Sequence, residues 1–393
     1  MVGKDLFDTV IDRRNTGSIK YDFPEKFGKP EGILPLWVAD MDFPSPPCVA
    51  RALDERVRHG IFGYSRGGEG DFTVLRQWYS KRFGWELQPQ WLVRTPGVIF
   101  AVAAAIRALT EERDAVLIQQ PVYYPFAETV RNNNRMLAVS RLLYQDGAYQ
   151  MDFADFENQI VQSRAKLFIL CSPHNPVGRV WTEDELLRVG KICMRHGIAV
   201  VSDEIHADFT YPGHRHLVFA NLRPEFAEST ITCTSPSKTF NLAGLQLSNI
   251  LIPNEILRRK FRREIVKTGY GQPNVMALTA GKAAYADGEA WLEELKEYLK
   301  SNLDFLRGFL ADHLPHIKLV EPEGTYLVWL DFRELGLTDE QLDDLMVRRA
   351  GVWLDPGPMF GAGGEGFQRI NIACPRATLK RALIQMAQAV GTL

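Results

Sequence analysis

Thr234-Ser235-Pro236-Ser237-Lys238-Thr239-Phe240-Asn241 follows directly on the apolar run Ile231 to Cys233. The run reads as a short buried strand, so the segment after it is a loop at a strand's carboxyl end, with one lysine among small hydroxyl residues. An amine there can condense with an aldehyde, while hydroxyls and backbone N–H groups can hold a phosphate. Taken alone, the same pattern describes a turn carrying a solvated lysine. Its setting in the chain decides between the two.

Working outward, similar Val-, Ile- and Leu-rich runs stand at Ala115 to Ile118, Leu167 to Leu170, Ile198 to Val201 and Leu247 to Ile252. Amphipathic stretches lie between several of them. In Thr182 to Arg195, for example, Leu186, Leu187, Val189, Ile192 and Cys193 can share one helical face. Thr182 followed by Glu185 is a capping box that fixes this helix's start, just past the turn Asn175-Pro176-Val177-Gly178. Strands alternating with helices predict an α/β domain whose largely parallel sheet is buried on both faces and binds ligands beyond its strands' carboxyl ends.

Met1 to Pro47, rich in Pro and Gly, predicts an arm with little helix. After a helical pattern around Ala290 to His313, the tail predicts strands at Ile317 to Val320, Thr325 to Leu330 and Gln368 to Ala373. It also predicts helices at Asp339 to Arg349 and Ala377 to Val390, which together make a smaller α+β lobe. The expected division is a large domain over 48–287 and a second unit formed by 1–47 with 288–393. Two lobes also suit a chain of 393 residues.

The net charge of −2, with no run of Lys or Arg that reads as a nucleic-acid arm or a membrane anchor, argues against nucleic acid as a partner. No apolar run reaches membrane-spanning length, and the polar N-terminus lacks a secretion signal. The five cysteines are scattered among apolar neighbours, which predicts reduced buried thiols and a cytoplasmic protein.

Other strand-end loops carry polar groups suited to the same chemistry. Ile198 to His206 reads as a strand ending in Ser202-Asp203-Glu204, where a carboxylate at Asp203 could keep a pyridine nitrogen protonated. The turn Ser172 to Gly178 offers the Asn175 amide to a phenolic oxygen, and Gln120 to Pro125 offers Tyr123 or Tyr124 to stack on a flat ring. Each has a plainer reading as a cap, a core residue or a turn. Their joint occurrence in this order, each after its own strand, favours one site.

With Leu36-Trp37-Val38-Ala39-Asp40-Met41-Asp42-Phe43, Phe62-Gly63-Tyr64, Ser172 to Trp181, Ser202 to His206 and Ser237 to Gly244, the chain resembles the fold-type I pyridoxal-phosphate enzymes. Within them it is similar to the MalY/PatB-type cystathionine β-lyases, or C-S lyases. The resemblance implies an aspartate-aminotransferase-like fold and pyridoxal 5'-phosphate as cofactor. It implies that Lys238 carries the cofactor as a Schiff base, Asp203 pairs with the ring nitrogen, Asn175 donates to the ring oxygen and Tyr123 stacks on the ring. His206 stands where aminotransferases of the fold carry a tyrosine. Ser235 and Ser237, with the backbone of Gly97, Val98 and Ile99, look like the phosphate cup, and Tyr64 looks like a phosphate contact supplied by the second subunit of a homodimer. Gln246 replaces the arginine that many relatives place eight residues after the lysine. On the substrate side the resemblance assigns Ala39 and Arg369, the latter gripping the α-carboxylate of a small amino-acid substrate. Trp37, Tyr124 and Tyr326 are taken as pocket walls.

The implied reaction is elimination of a C–S bond in cystathionine or a related cysteine S-conjugate, giving thiol, pyruvate and ammonia. The same residues would serve an aminotransferase, and a protein that keeps the fold to bind a regulatory partner is the third alternative. Two further patterns carry less. Gly361 to Gly366 contains GxGxxG but precedes a strand, so no dinucleotide site is expected. His206, His214 and His216 have no carboxylate or thiol at a familiar ligand spacing, so no metal is expected.

Overall fold

The computed structural model describes residues 5–392, so the first four residues of the expected arm, and Leu393, lie outside the described residues. An eight-stranded sheet is built from β1 (Leu92–Thr95), β2 (Ala115–Gln120), β3 (Met136–Gln145), β4 (Ala148–Met151), β5 (Leu167–Cys171), β6 (Ala199–Asp203), β7 (Thr230–Thr234) and β8 (Ser248–Leu251). Its order is β1-β8-β7-β6-β5-β2-β3-β4. The centre, from β7 to β3, is parallel. The expected strand at Leu247 to Ile252 is present but antiparallel, as are both sheet edges.

Alternation of side chains explains the apolar runs. In β5, Leu167, Ile169 and Cys171 pack toward the helices Val98–Leu109, Pro125–Asn132 and Glu255–Lys267, while Phe168 and Leu170 pack toward Phe153–Ser163 and Glu183–Arg195. A parallel strand covered on both faces must be apolar at every position. The helix Glu183–Arg195 begins as expected: the Thr182 hydroxyl accepts from the Glu185 N–H at 3.3 Å and the Glu185 carboxylate accepts from the Thr182 N–H at 2.8 Å. Such a cap contributes about 1 kcal/mol.

A second, antiparallel sheet contains β9 (Lys318–Val320), β10 (Leu327–Asp331), β11 (Asp355–Pro356) and β12 (Phe367–Asn371), in the order β9-β10-β12-β11. It packs on the long helix Glu289–His313 and the helix Arg376–Val390 through Leu295, Leu299, Leu303, Ile370, Leu383 and Met386. The helix expected over Asp339 to Arg349 is α-helical only to Asp344 and widens to a π turn over Leu345–Arg349. The arm is largely irregular but closely held. Leu34–Pro35 runs parallel to Val352–Trp353, and Phe7 is buried against Phe43, Trp291 and Tyr298. Among the described residues, no helix is long and apolar enough to cross a membrane.

Candidate active site

The carboxyl ends of β5, β6 and β7 open on one cavity of about 250 Å³. It is lined by Ala39, Gly97, Val98, Ile99, Tyr123, Asn175, Asp203, His206, Ser235, Ser237 and Lys238, all of them expected site residues. This follows from topology: successive parallel strands end on the same edge, so their loops converge although they are far apart in sequence.

Lys238 lies in the short helix Pro236–Thr239, and its Nζ donates to the Ala39 carbonyl at 2.6 Å. Burial, aided by the Arg369 cation and opposed by Asp40 and Asp203, lowers the amine from 10.5 to about 8. A neutral, nucleophilic amine is therefore accessible near neutrality. Asp203, the last residue of β6, accepts from the Ile205 N–H at 3.1 Å. Burial raises this carboxyl to about 7, with Glu204 adding to the rise. Such a carboxylate gains strongly from a cationic partner. His206 is pushed down to about 3 by burial and by the Lys238 and Arg369 cations, so the imidazole is neutral. Its Nδ1 is buried with no hydrogen-bond partner, and its ring meets the edge of Tyr326 at 5.8 Å.

Arg369 on β12 is tied on three sides. It donates to Asn175 Oδ1 at 2.9 Å, to the Trp37 carbonyl at 3.0 Å and to Asp355, its cross-strand partner, and it lies 4.8 Å over the Phe360 ring. Its Nε remains buried without a hydrogen-bond partner. The bond to Asn175 also orients that amide: with Oδ1 taken by Arg369, the NH₂ is left to donate. Ser235 caps its helix by accepting from the Ser237 N–H and donates to the Leu247 carbonyl at 2.6 Å. Its single proton is thus used within the protein, and its Oγ stands 2.8 Å from the Ser237 hydroxyl. Gln246 lines the same cavity.

The remaining expected residues lie outside this lining, and the pocket walls need correction. Tyr64, expected to serve a second subunit, is not in this chain's cavity; its side chain is fully exposed, at 101%. Arg369 stands behind the lining and reaches it through Asn175. Trp37, Tyr124 and Tyr326 do not line the cavity: Trp37 stacks on Trp353 at 4.3 Å, Tyr124 packs toward Tyr123 and Phe360, and Tyr326 is buried with its hydroxyl 3.4 Å from the Ala39 carbonyl. Sequence reasoning missed Asp355, the acid that holds Arg369, and Cys171 in the cavity wall. A carboxylate directly after the apolar Val352-Trp353-Leu354 was the available signal for Asp355. Gly361 serves packing, since a Cβ there would lie 2.1 Å from the Gln120 amide nitrogen. His216 is bonded to Glu204.

A phosphorylated pyridine aldehyde fits these residues: a low-pKa amine, a carboxyl wanting a cation, an amide donor, a tyrosine beside them and the open N-terminus of the helix Val98–Leu109. Comparison with known proteins points the same way. The sequence profile of the family "Aminotransferase class I and II" matches residues 31–385. The chain is 44% identical to cystathionine beta-lyase PatB of Bacillus subtilis, over 98% of this chain and 100% of that one. It is 34% identical to protein MalY of Escherichia coli, over 98% of each. The crystal structure of cystalysin from Treponema denticola, which contains a pyridoxal 5'-phosphate cofactor, superposes with a TM-score of 0.95 at 36% identity, covering 98% of both chains.

Proposed function

The chain belongs to the aminotransferase class I and II family and, within it, to the MalY/PatB-type cystathionine β-lyases, and from that premise we propose a pyridoxal-phosphate-dependent carbon–sulfur lyase. Its reaction is β-elimination from cystathionine or a related cysteine S-conjugate, giving thiol, pyruvate and ammonia. The single observation that carries this reading is Lys238, a buried amine near pKa 8 in one cavity with Asp203, beside the free donor of Arg369.

In this proposal Lys238 bonds the cofactor and later, as a free neutral amine, takes the substrate's Cα proton on Nζ. The bound cofactor supplies an electron sink for the charge that proton leaves behind. Asp203 would keep the ring nitrogen protonated, Asn175 would donate through its NH₂, and Tyr123 would stack on the ring. Gly97, Val98, Ile99, Ser237 and Ser235 would hold the phosphate. Arg369, held by Asp355, aims the substrate carboxylate, and Ala39 bounds the substrate beside Lys238. His206, neutral, adds no charge near the ring nitrogen.

We also propose a homodimer. Tyr64 is exposed together with Ile61 and Phe62, and in a dimer Tyr64 would complete the partner's phosphate site. The large domain is assigned to 48–287 and the second unit to 1–47 with 288–393. The five buried free thiols suit a reducing, cytoplasmic setting. Incubation with cystathionine and a panel of S-conjugates, with pyruvate and thiol assayed together, tests the activity. Equal yields of both are expected; keto acid formed only with an added acceptor would instead mean transamination.

A further inference from the structure

One buried hydrogen-bonded pair has no part in the reaction described above. Glu204, next to Asp203, is 2% exposed and takes three hydrogen bonds: from Ser202 Oγ at 2.8 Å, the Phe219 N–H at 3.1 Å and His216 Nε2 at 2.9 Å. His216 is also 2% exposed, meets the Phe83 ring edge-on at 5.6 Å, and has no hydrogen-bond partner at Nδ1. Neither residue lines the Lys238 cavity. They stand behind its wall, one residue along the chain from Asp203.

Adjacent buried carboxylates oppose each other's charge, and a cation paired with one relieves the other. We infer that Glu204 and His216 are positioning residues that set the charge on Asp203. The His216 imidazole bonded to Glu204 offsets the charge of that carboxylate; without it, the charge bears on Asp203, which then takes up a proton more readily. Glu204 is indeed among the groups that raise Asp203. The inference rests on the proposed function, because the charge of Asp203 matters there as the partner of the ring nitrogen.

His216 borders an outer cleft with Lys81 and Arg82 of one helix, Asp208, His214 and Arg215 of the loop after β6, and Glu289 and Lys296 of the long helix. Within that cleft Arg82 is balanced by Asp208 and Glu293, each at 2.8 Å, which leaves Glu204 as the carboxylate bonded to His216.

The test uses holoenzyme and reads cofactor retention. Wild type, Glu204→Gln, His216→Phe and the milder His216→Gln are acidified in steps, and the visible band and the ultrafiltrate give the pH at which half the cofactor is lost. Protonation of Asp203 removes its hold on the ring nitrogen. Glu204→Gln is therefore expected to lower the midpoint, and both His216 variants to raise it, each by at least about threefold in proton concentration, or about half a pH unit. A purely structural pair would move all variants the same way. Midpoints that coincide with wild type, or that all shift in one direction, overturn the inference. Should Glu204→Gln fail to fold, an unmoved midpoint in His216→Gln is enough to overturn it. Wild type that binds no cofactor would overturn the proposed function together with it, so the two failures are distinguishable.

Discussion

Lys20, in the N-terminal arm, and Lys238, at the end of β7, are both withdrawn from solvent, yet their surroundings are opposite. The Lys20 side chain is 0% exposed and forms an ion pair with Asp42 at 2.8 Å, with the Asp40 carbonyl at 3.0 Å and Arg13 and Tyr21 on the same carboxylate. Lys238 has a carbonyl for a partner and, among the described residues, no ion pair; burial holds its amine down near 8. A buried lysine with its counter-ion builds structure, because removing either partner strands a charge. A buried lysine without one is a nucleophile.

The strongest way to break this comparison is at its reactive end. Lys238→Ala should lower turnover by at least about a thousandfold and abolish the cofactor's bonded absorption band, checked by steady-state kinetics and a visible spectrum.

Next come the two lysines as a matched pair in cofactor-free protein, followed by denaturant melts at pH 7. Lys20→Met leaves Asp42 buried with Arg13 and the Tyr21 hydroxyl and should cost about 3–5 kcal/mol. Lys238→Met should do the reverse. Because the amine is lowered from 10.5 to about 8, the folded chain resists its proton, a cost fully present below 8 and gone above 10.5. Removing it should stabilise the fold by on the order of 1–3 kcal/mol. If both variants destabilise equally, the contrast fails.

A smaller effect tests Arg369, whose cation helps lower the Lys238 amine. Arg369→Lys keeps the charge but loses the fork that bonds Asn175, Asp355 and the Trp37 carbonyl together, so kcat/KM should fall about a hundredfold with most of the folded stability retained. Smaller still is a pH effect. Capture of cofactor by the cofactor-free protein needs the neutral amine, so its rate should rise about tenfold per pH unit below 8 and level off above it. Stopped-flow absorbance measures it, and a flat profile would mean that another group is titrating.

The reactive lysine was legible in the sequence and the structural one was not. Lys238, Asp203 and Asn175 each follow a run of buried residues, and that pattern is local. Lys20 has its partner 22 positions away in an irregular segment, with no period to mark it. The same reason hid Asp355, whose strand has two residues. The strands β1, β3 and β4, at or beside the sheet's edges, passed unnoticed because they are short or alternate with polar residues, half-buried Arg94 in β1 and exposed Gln145 in β3 among them. The antiparallel direction of β8 depends on tertiary pairing, which its apolar pattern does not encode. Tyr64 is fully exposed, so its proposed role comes from the resemblance and not from this chain's packing.

The most direct test is covalent. Holoenzyme is reduced with borohydride, digested, and the pyridoxyl-bearing peptide sequenced by mass spectrometry. The account predicts the label on Lys238, within Thr234-Ser235-Pro236-Ser237-Lys238-Thr239-Phe240-Asn241, and on no other lysine. A label on Lys20 or any other amine, with Lys238 unmodified, would contradict it.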